Sequence, residues 1–338
     1  FLKMKSGIFL ILVIFFFFIL LEAVLPSKVI VVENKGDSSF LKNIQEEKTE
    51  KTKQKAKQTE ENITIIAVGD IMLSRWVAKE ILKNKDYRYP FLKTADILKG
   101  ADLTFGNLES PITSGPEILI NEMRFRADPE VIEGLKFAGF DVLSLANNHF
   151  GDFSRQGMAD TFKFLEEGNI NFTGAGRNKN EAHNVLIKKI KGKKIGFLAY
   201  ANSSFTRKTY AAGEKEAGIA LMNVEDLKAD VERAKKEVDF LVISMHAGKE
   251  YQQLPTSWQK EFVHTAVDYG ADLILGHHPH ILQPYEKYKG KYIFYSLGNF
   301  VFDQDVPKET KESVILKLVL NCDNLQIEKI DTLPILIK

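Results

Sequence analysis

The main pattern in this chain is a short apolar run followed at once by polar residues, and it repeats from residue 63 onward. The β-branched and aromatic residues in these runs are typical of buried strands. Strands are predicted at residues 63–68, 102–105, 141–146, 194–200, 239–245, 272–275 and 292–297. In open α/β sheets ligands bind beyond the carboxyl ends of the strands, so the polar residues after each run predict a cleft there.

Helical periodicity occupies several of the intervals between these runs. Amphipathic helices are predicted at residues 129–138, 156–167, 225–238 and 256–269. The alternation of strands and helices predicts an α/β fold with a largely parallel sheet and helices on its faces. Near the end, residues 313–320 and 325–330 flank a four-residue polar turn, which predicts a hairpin.

The first 61 residues follow a different pattern. Residues 8–21 are apolar without a break and follow two lysines, so we predict a membrane anchor over residues 1–27. A cleaved signal peptide is the alternative, although no small-x-small cleavage site follows the run. The lysines predict that the rest of a single-pass protein lies outside the cytoplasm. Residues 28–61, largely polar and charged, are predicted to be a tether for a domain over residues 62–338.

Composition excludes some classes of protein. The formal net charge of +1 gives no basic footprint, so no nucleic-acid partner is expected. The single cysteine, Cys322, excludes an intramolecular disulfide and a cysteine-based zinc site. Hydrophobic residues make up 44% of the chain, which is enough for a buried core.

Histidines are concentrated after the run at 272–275, in the sequence Gly276-His277-His278-Pro279-His280. Imidazole is a common metal ligand at neutral pH, so we expect these rings at the rim of the cleft, with a His-rich surface loop as the alternative. His183 and His264 lie in helical or connecting sequence and are expected to be structural.

Six predicted strand ends together carry carboxylates, amides and imidazoles. The candidates are Asp70, Asn107, Glu109, Asn148, His149, His246, His278, His280 and Asn299. Taken singly, Asp70 could cap a helix, Asn107 could serve a turn and His246 could be a core histidine. Taken together, they form the ligand set of a two-metal hydrolytic site, in which two cations share a carboxylate and activate a water. Such oxygen and nitrogen donors suit Mn, Zn, Fe or Mg.

Short motifs around these residues occur in a fixed order along the chain. They are Gly69-Asp70-Ile71-Met72-Leu73, Gly106-Asn107-Leu108-Glu109, Ala146-Asn147-Asn148-His149, His246-Ala247-Gly248-Lys249-Glu250-Tyr251, Gly276-His277-His278-Pro279-His280 and Ser296-Leu297-Gly298-Asn299-Phe300-Val301-Phe302-Asp303. Over roughly residues 62–305 they resemble the CapA family of bacterial capsule-synthesis proteins, which is associated with poly-γ-glutamate synthesis and export. That family is similar to the calcineurin-like metallophosphoesterases. The resemblance implies a four-layer α/β/β/α sandwich, and a transmembrane helix before it also fits the family.

The resemblance also implies roles for individual residues. Asp70 would hold the first metal. Glu109, or alternatively Asn107, would match the carboxylate that bridges the two metals. The metallophosphoesterase pattern places a histidine two residues after the first aspartate, but this chain has Met72. A thioether is a poor ligand for hard cations, so the first metal would be weakly held or absent.

The remaining roles fall on the later motifs. Asn148 and His246 would hold the second metal, and His278 and His280 would complete the pair. His149 would protonate the leaving group without binding metal.

Residues outside the metal set are candidates for substrate contact. Arg124 and Arg126 alternate on an extended stretch, so both would face one side and could clamp a phosphate or carboxylate. A solvated pair is the alternative. Glu250, Asn107 and Asn299 are further candidates.

Three functions are consistent with these residues. The first is a metal-dependent hydrolase or transferase acting on an anionic or phosphorylated substrate. The second is a non-enzymatic subunit that binds the polymer during export, and the third is a metal-dependent amidohydrolase acting on γ-glutamyl bonds. His149 favours an enzyme and Met72 favours binding. The partners implied are an anionic polymer, a capsule synthetase and membrane subunits.

Overall fold

The computed structural model of the protein describes residues 62–116 and 123–338. The predicted anchor (residues 1–27) and tether (residues 28–61) lie outside the described residues. None of the helices in the described part of the chain combines the length and the apolar character needed to cross a bilayer.

The described residues contain fifteen strands and seven α-helices. The strands are β1 (Ile63–Ile71), β2 (Leu103–Leu108), β3 (Val142–Ser144), β4 (Asn171–Thr173), β5 (Ala175–Gly176), β6 (Leu186–Ile190), β7 (Lys193–Ala201), β8 (Gly218–Ile219), β9 (Phe240–His246), β10 (Leu273–His277), β11 (Tyr285–Tyr288), β12 (Lys291–Phe294), β13 (Asn299–Val301), β14 (Glu312–Leu320) and β15 (Ile327–Leu336). The helices are α1 (Arg75–Asn84), α2 (Ala95–Leu98), α3 (Val131–Ala138), α4 (Ser154–Glu167), α5 (Lys179–Ala182), α6 (Val224–Ala234) and α7 (Ser257–Tyr269).

Most strands belong to two mixed sheets, of seven and six strands. The first has the order β15-β14-β1-β2-β3-β4, with β13 paired to β1, and the second has the order β11-β12-β10-β9-β7-β6. The centres, β1-β2-β3-β4 and β7-β9-β10-β12, are parallel, as the alternation of strands and helices predicted. Antiparallel strands flank both centres, including the predicted hairpin of β14 and β15.

Apolar side chains of the two sheets share one core. Ile65 and Phe105 of the first sheet and Phe197 and Leu275 of the second belong to the same buried cluster. The rings of Phe105 and Phe197 stack with centroids 5.7 Å apart. Separate clusters pack α3 and α4 against the first sheet and α6 and α7 against the second. The described residues are therefore arranged as helix, sheet, sheet and helix.

The four predicted helices correspond to α3, α4, α6 and α7, with ends that differ by a few residues. Strand β1 continues past its predicted end at residue 68 to Ile71. The reason is a parallel pairing with the distant β13, in which Asp70 lies opposite Asn299. A Cβ on Gly69 would lie 1.9 Å from the carbonyl oxygen of Gly298, so this close approach requires glycine.

Candidate metal centre

The parallel strands bring polar side chains to the same edge of both sheets. In the first sheet, Asp70 lies in register between Asn299 of β13 and Asn107 of β2. In the second, His246 at the end of β9 lies beside His277 at the end of β10. All five side chains are fully buried, which is costly for polar groups unless they are paired or bind a ligand.

Asp70 joins the first sheet to the histidine loop of the second. Its Oδ1 accepts a hydrogen bond from Asn107 Nδ2 at 2.8 Å and lies 3.3 Å from His277 Nδ1. Its Oδ2 accepts from the backbone N–H of His278 at 3.2 Å and lies 3.5 Å from His280 Nδ1. His278 and His280 have φ values of 95° and 59°, a conformation that non-glycine residues adopt rarely and mainly at functional sites.

Glu109 occupies the centre of the cluster. Its Oε1 lies 3.9 Å from His246 Nε2 and 3.8 Å from His280 Nε2, and it has no hydrogen-bond partner among the described residues. A cation between this oxygen and the two imidazoles would supply the missing partner. The amide nitrogen of Asn107 lies 3.4 Å from Glu109 Oε2 and also contacts Asp70. Glu109 therefore fits the predicted bridging position, and Asn107 fits as the residue that holds the two carboxylates together.

The predicted ligands of the second metal also lie together. Asn148 Oδ1 and His246 Nε2 are 2.7 Å apart, so both atoms can reach one ion. The ring of His278 lies 4.9 Å from that of His246, measured between centroids, and its buried Nδ1 has no partner within the described part of the chain. Phe205 stacks on His278 at 3.8 Å and fixes the plane of the ring.

His280 is oriented by a residue behind it. Its Nδ1 lies 2.9 Å from Asn299 Oδ1, so the N–H points to Asn299 and the Nε2 lone pair faces Glu109. The amide nitrogen of Asn299 donates to the carbonyl of Thr310 at 3.2 Å and to Gln304 Oε1 at 3.1 Å. These contacts hold the amide of Asn299 against His280, and the substrate contact predicted for Asn299 remains a prediction.

Burial and neighbouring charges set the protonation of the cluster. Burial raises the pKa of Glu109 well above its ordinary value, and the charges of Asp70 and Glu250 add to this. Burial also lowers the pKa of His278 to about 3, with a further contribution from His280. For Asp70, burial raises the pKa, but the hydrogen bond and charge of His277, with further contributions from His280 and Asn107, leave it lowered. The imidazole of His278 is therefore neutral at pH 7 and can donate to a metal.

The donor set fits divalent metal ions. Two triads of side chains each bring their ligand atoms within 4.8 Å of one another: Asp70, Glu109 and His246, and Glu250, His278 and His280. Each triad contains a buried donor without a partner in the described residues, Glu109 Oε1 in one and His278 Nδ1 in the other. Oxygen and nitrogen ligands of this kind suit Mn, Zn or Fe.

Met72 does not point into this donor set. Its side chain is fully buried in an apolar cluster with Phe125 and Phe302. The sulfur accepts the backbone N–H of Ser74 at 3.1 Å. The metallophosphoesterase pattern has a histidine at this position, whereas the side chain of Met72 packs in the apolar core.

His149, the predicted proton donor, lies at the opening of the site. Its Nδ1 is 2.7 Å from Asp152 Oδ2, which also accepts the backbone N–H of Phe125 at 2.8 Å. The ring of Phe125 stacks on the imidazole with centroids 3.8 Å apart. These contacts fix the ring and leave Nε2 to exchange a proton. The sequence reasoning missed Asp152, although its position three residues after His149 was a usable signal.

The predicted arginines are held by other groups. Arg126 Nη1 donates to the carbonyl of Thr113 at 2.8 Å and pairs with Asp128 at 2.8 Å. The guanidinium of Arg124 lies over the ring of Phe153, 5.3 Å from its centroid. A substrate role for these two arginines remains a prediction.

Arg75, which sequence reasoning did not single out, packs on the same phenylalanine as the proton donor His149. Its guanidinium pairs with Asp303 and lies over Phe125, 4.6 Å from the centroid of the ring that stacks on His149. Asp303 belongs to one of the quoted motifs, so its pairing with the first residue of α1 could have been sought.

The chain is similar in sequence to proteins of capsule synthesis. The sequence profile described as "Bacterial capsule synthesis protein PGA_cap" matches residues 64–304. The "Capsule biosynthesis protein CapA" of Bacillus anthracis is 34% identical over 283 residues, which cover 81% of this chain and 67% of that protein. The "PGA biosynthesis protein CapA" of Bacillus subtilis (strain 168) is 36% identical over 255 residues, which cover 74% of this chain and 66% of that protein. The chain thus spans about two thirds of the length of these relatives.

Among solved structures, the chain resembles a "novel phosphatase" of Mycoplasma pneumoniae. The TM-score is 0.52 at 14% sequence identity, and the match covers 81% of this chain and 94% of that one. At this identity the likeness shows a shared fold and nothing further. The family profile and the two Bacillus relatives lead to one conclusion: this chain belongs to the PGA_cap family of bacterial capsule synthesis proteins.

Proposed function

We propose that this protein is an enzyme of capsule biosynthesis that uses divalent metal ions. It hydrolyses a bond in an anionic polymer or transfers a group of that polymer to an acceptor. One relative is named a "PGA biosynthesis protein". Together with the resemblance of the motifs to a family associated with poly-γ-glutamate, this name supports a γ-glutamyl amide or a phosphorylated intermediate as the proposed substrate. The proposed partners are a capsule synthetase and its membrane subunits. The apolar run at residues 8–21 supports anchoring in the cell membrane, with the domain outside the cytoplasm.

The proposal rests on one observation. A buried cluster of possible metal ligands has atoms without hydrogen-bond partners, and it lies beside a histidine whose ring is held in place. Glu109 Oε1 and His278 Nδ1 are buried without partners within the described residues, so the edge is built for a ligand that accepts their lone pairs. His149 lies at the same edge, and Asp152 and Phe125 fix its ring. A domain that only bound polymer would not need an oriented imidazole beside its metal ligands.

Each group has a part in the proposed chemistry. Bound divalent ions would polarise the electrophile and lower the pKa of a water. Asp70 and Glu109 supply the negative charge that holds the ions, and Asn107 spaces these two carboxylates. His149 delivers a proton from Nε2 to the departing oxygen or nitrogen, because Asp152 occupies Nδ1. Arg75 adds positive charge close to that departing group.

The test compares His149→Ala with His264→Ala. His264 is the matched control because it also pairs with a carboxylate, Glu286 at 3.0 Å, outside the site. Loss of a general acid typically lowers a rate by ~10²–10⁴-fold, so polymer at the surface of capsule-producing cells should fall steeply in the first variant. Metal content should stay at the wild-type level, and the free energy of unfolding should fall by no more than about 1–3 kcal/mol, the cost of leaving Asp152 without its imidazole partner.

Normal polymer output in His149→Ala, with metal retained, would contradict the enzymatic function. It would favour the second candidate, a metal-stabilised subunit that binds polymer during export. The observation that favours this alternative is Met72, which packs in an apolar cluster at the position where the metallophosphoesterase pattern has a metal-binding histidine.

A further inference from the structure

Position 72 supplies no metal donor from the first sheet. The metallophosphoesterase pattern has a histidine there, whereas the side chain of Met72 packs with Phe302. The same phenylalanine ring contacts His280, with centroids 4.8 Å apart. The space beside His280 on this side is therefore closed by apolar groups, and another donor must approach from a different direction.

Glu250 approaches from the second sheet. It lies in the loop that follows β9, and its carboxylate forms a triad with His278 and His280 in which all ligand atoms lie within 4.8 Å. The side chains of the two histidines are buried, whereas Glu250 is exposed. Such a carboxylate can move onto an ion without the desolvation cost of a fully buried charge.

The loop that carries Glu250 is tied to the histidine loop at two points. The backbone N–H of Tyr251 donates to the carbonyl of Pro279 at 2.9 Å, between the two histidines. The hydroxyl of Tyr251 accepts from Gln304 Nε2 at 3.2 Å, and Gln304 in turn contacts Asn299, which orients His280. Tyr251 has a φ of 63°, an unusual conformation for a tyrosine. These contacts fix the backbone next to Glu250 relative to His280, while the exposed carboxylate of Glu250 can still turn toward an ion.

We infer that Glu250 is a metal ligand, which completes with His278 and His280 an ion site to which position 72 contributes no donor. This inference rests on the metal centre of the proposed function. It replaces the predicted substrate role of Glu250 and explains how the chain holds metal without a histidine at position 72.

The test is a titration of the full chain with Mn²⁺ after chelator treatment. The variant is Glu250→Gln, which keeps the shape of the side chain and removes its charge. The matched controls are Lys249→Gln in the same loop and Glu261→Gln on the exposed side of α7. Changes to groups that only support a ligand typically cost 10–100-fold in metal affinity, so Glu250→Gln should weaken at least one Mn²⁺ by about tenfold or more. Both controls should bind as the wild type does.

Ionic strength separates ligation from long-range attraction. At 1 M salt the Debye length is about 3 Å, so attraction through solvent is screened while a direct bond persists. A loss of about tenfold at 1 M salt supports the inference; wild-type affinity in Glu250→Gln, or a loss that disappears at 1 M salt, overturns it. If the wild type binds no Mn²⁺ at all, the proposed metal centre fails together with the inference. If the wild type binds Mn²⁺ and Glu250→Gln binds it equally well, only the inference fails.

Discussion

Among the described residues, two buried polar clusters with a histidine beside a carboxylate can be compared. They differ in whether the carboxylate oxygens have hydrogen-bond partners. In the first, Asp230 accepts hydrogen bonds from Tyr200 at 2.9 Å and Arg233 at 2.9 Å, and lies 2.7 Å from His183 Nδ1. Both oxygens of Asp230 have partners. The second cluster is the candidate metal centre at the sheet edge. There Glu109 Oε1 has no hydrogen-bond partner within the described part of the chain.

The difference separates a structural role from a ligand site. The Asp230 cluster joins the end of α5 to α6 and to β7, and each of its contacts replaces a lost contact with water. The cluster around Glu109 gathers carboxylates and imidazoles but leaves donors unpaired, a costly arrangement unless a cation completes it. Residue type alone would not distinguish His183 from His278, whereas the pairing of their nitrogens does.

The largest expected effect comes from removing two donors at once. His278→Ala combined with His280→Ala should lower the affinity for Mn²⁺ by at least about 100-fold, because even supporting groups typically contribute 10–100-fold. His183→Ala is the matched control and should bind Mn²⁺ as the wild type does. Metal analysis after equilibrium dialysis measures both, and equal binding in all three proteins would abolish the distinction between the clusters.

Stabilisation by metal is the next effect in size. Mn²⁺ at 100 times its dissociation constant should raise the free energy of unfolding by about 2.7 kcal/mol, since it binds only the folded state. Denaturant unfolding with and without the ion measures this. The double histidine variant should show no increase at the same Mn²⁺ concentration, whereas an equal increase would place the ion elsewhere.

Damage to the structural cluster should act on stability alone. His183→Ala removes a partner from buried Asp230 and should lower the free energy of unfolding by about 1–3 kcal/mol. His264→Ala, which removes a partly exposed imidazole, should have a smaller effect, because exposed pairs contribute little. Thermal or denaturant unfolding compares them, and a loss of metal in His183→Ala would contradict the structural role.

The smallest effect is expected at Met72. Met72→Leu conserves volume in the cluster with Phe125 and Phe302, so it should cost less than about 1.5 kcal/mol. Its Mn²⁺ affinity should equal that of the wild type, because the sulfur is not a ligand. A clear loss of metal in the Leu variant would show that the side chain turns toward the ion.

Much of the fold was predictable because local patterns determine it. The alternating runs and the amphipathic periodicity predicted the parallel centres and helices α3, α4, α6 and α7. The continuation of β1 to Asp70 was not predictable, because it depends on pairing with Asn299 more than two hundred residues later. The prediction that all three histidines of the loop lie at the rim was wrong for His277, which ends β10 fully buried near Phe105.

The candidate site was predictable in its residues but not in its contacts. Parallel strands end at one edge of a sheet. The positions of Asp70, Glu109 and His246 at predicted strand ends therefore indicated that these residues lie close together. Which side chains orient the others depends on three-dimensional packing, and so the parts played by Asp152 and Asn299 emerged only from the structure.

Anomalous scattering from a crystal of the Mn²⁺-loaded protein would locate the ions themselves. We expect peaks at the sheet edge, between Glu109 Oε1 and the imidazoles of His246, His278 and His280. No peak there, or a peak only at the Asp230 cluster, would contradict the claim that this edge is a metal centre.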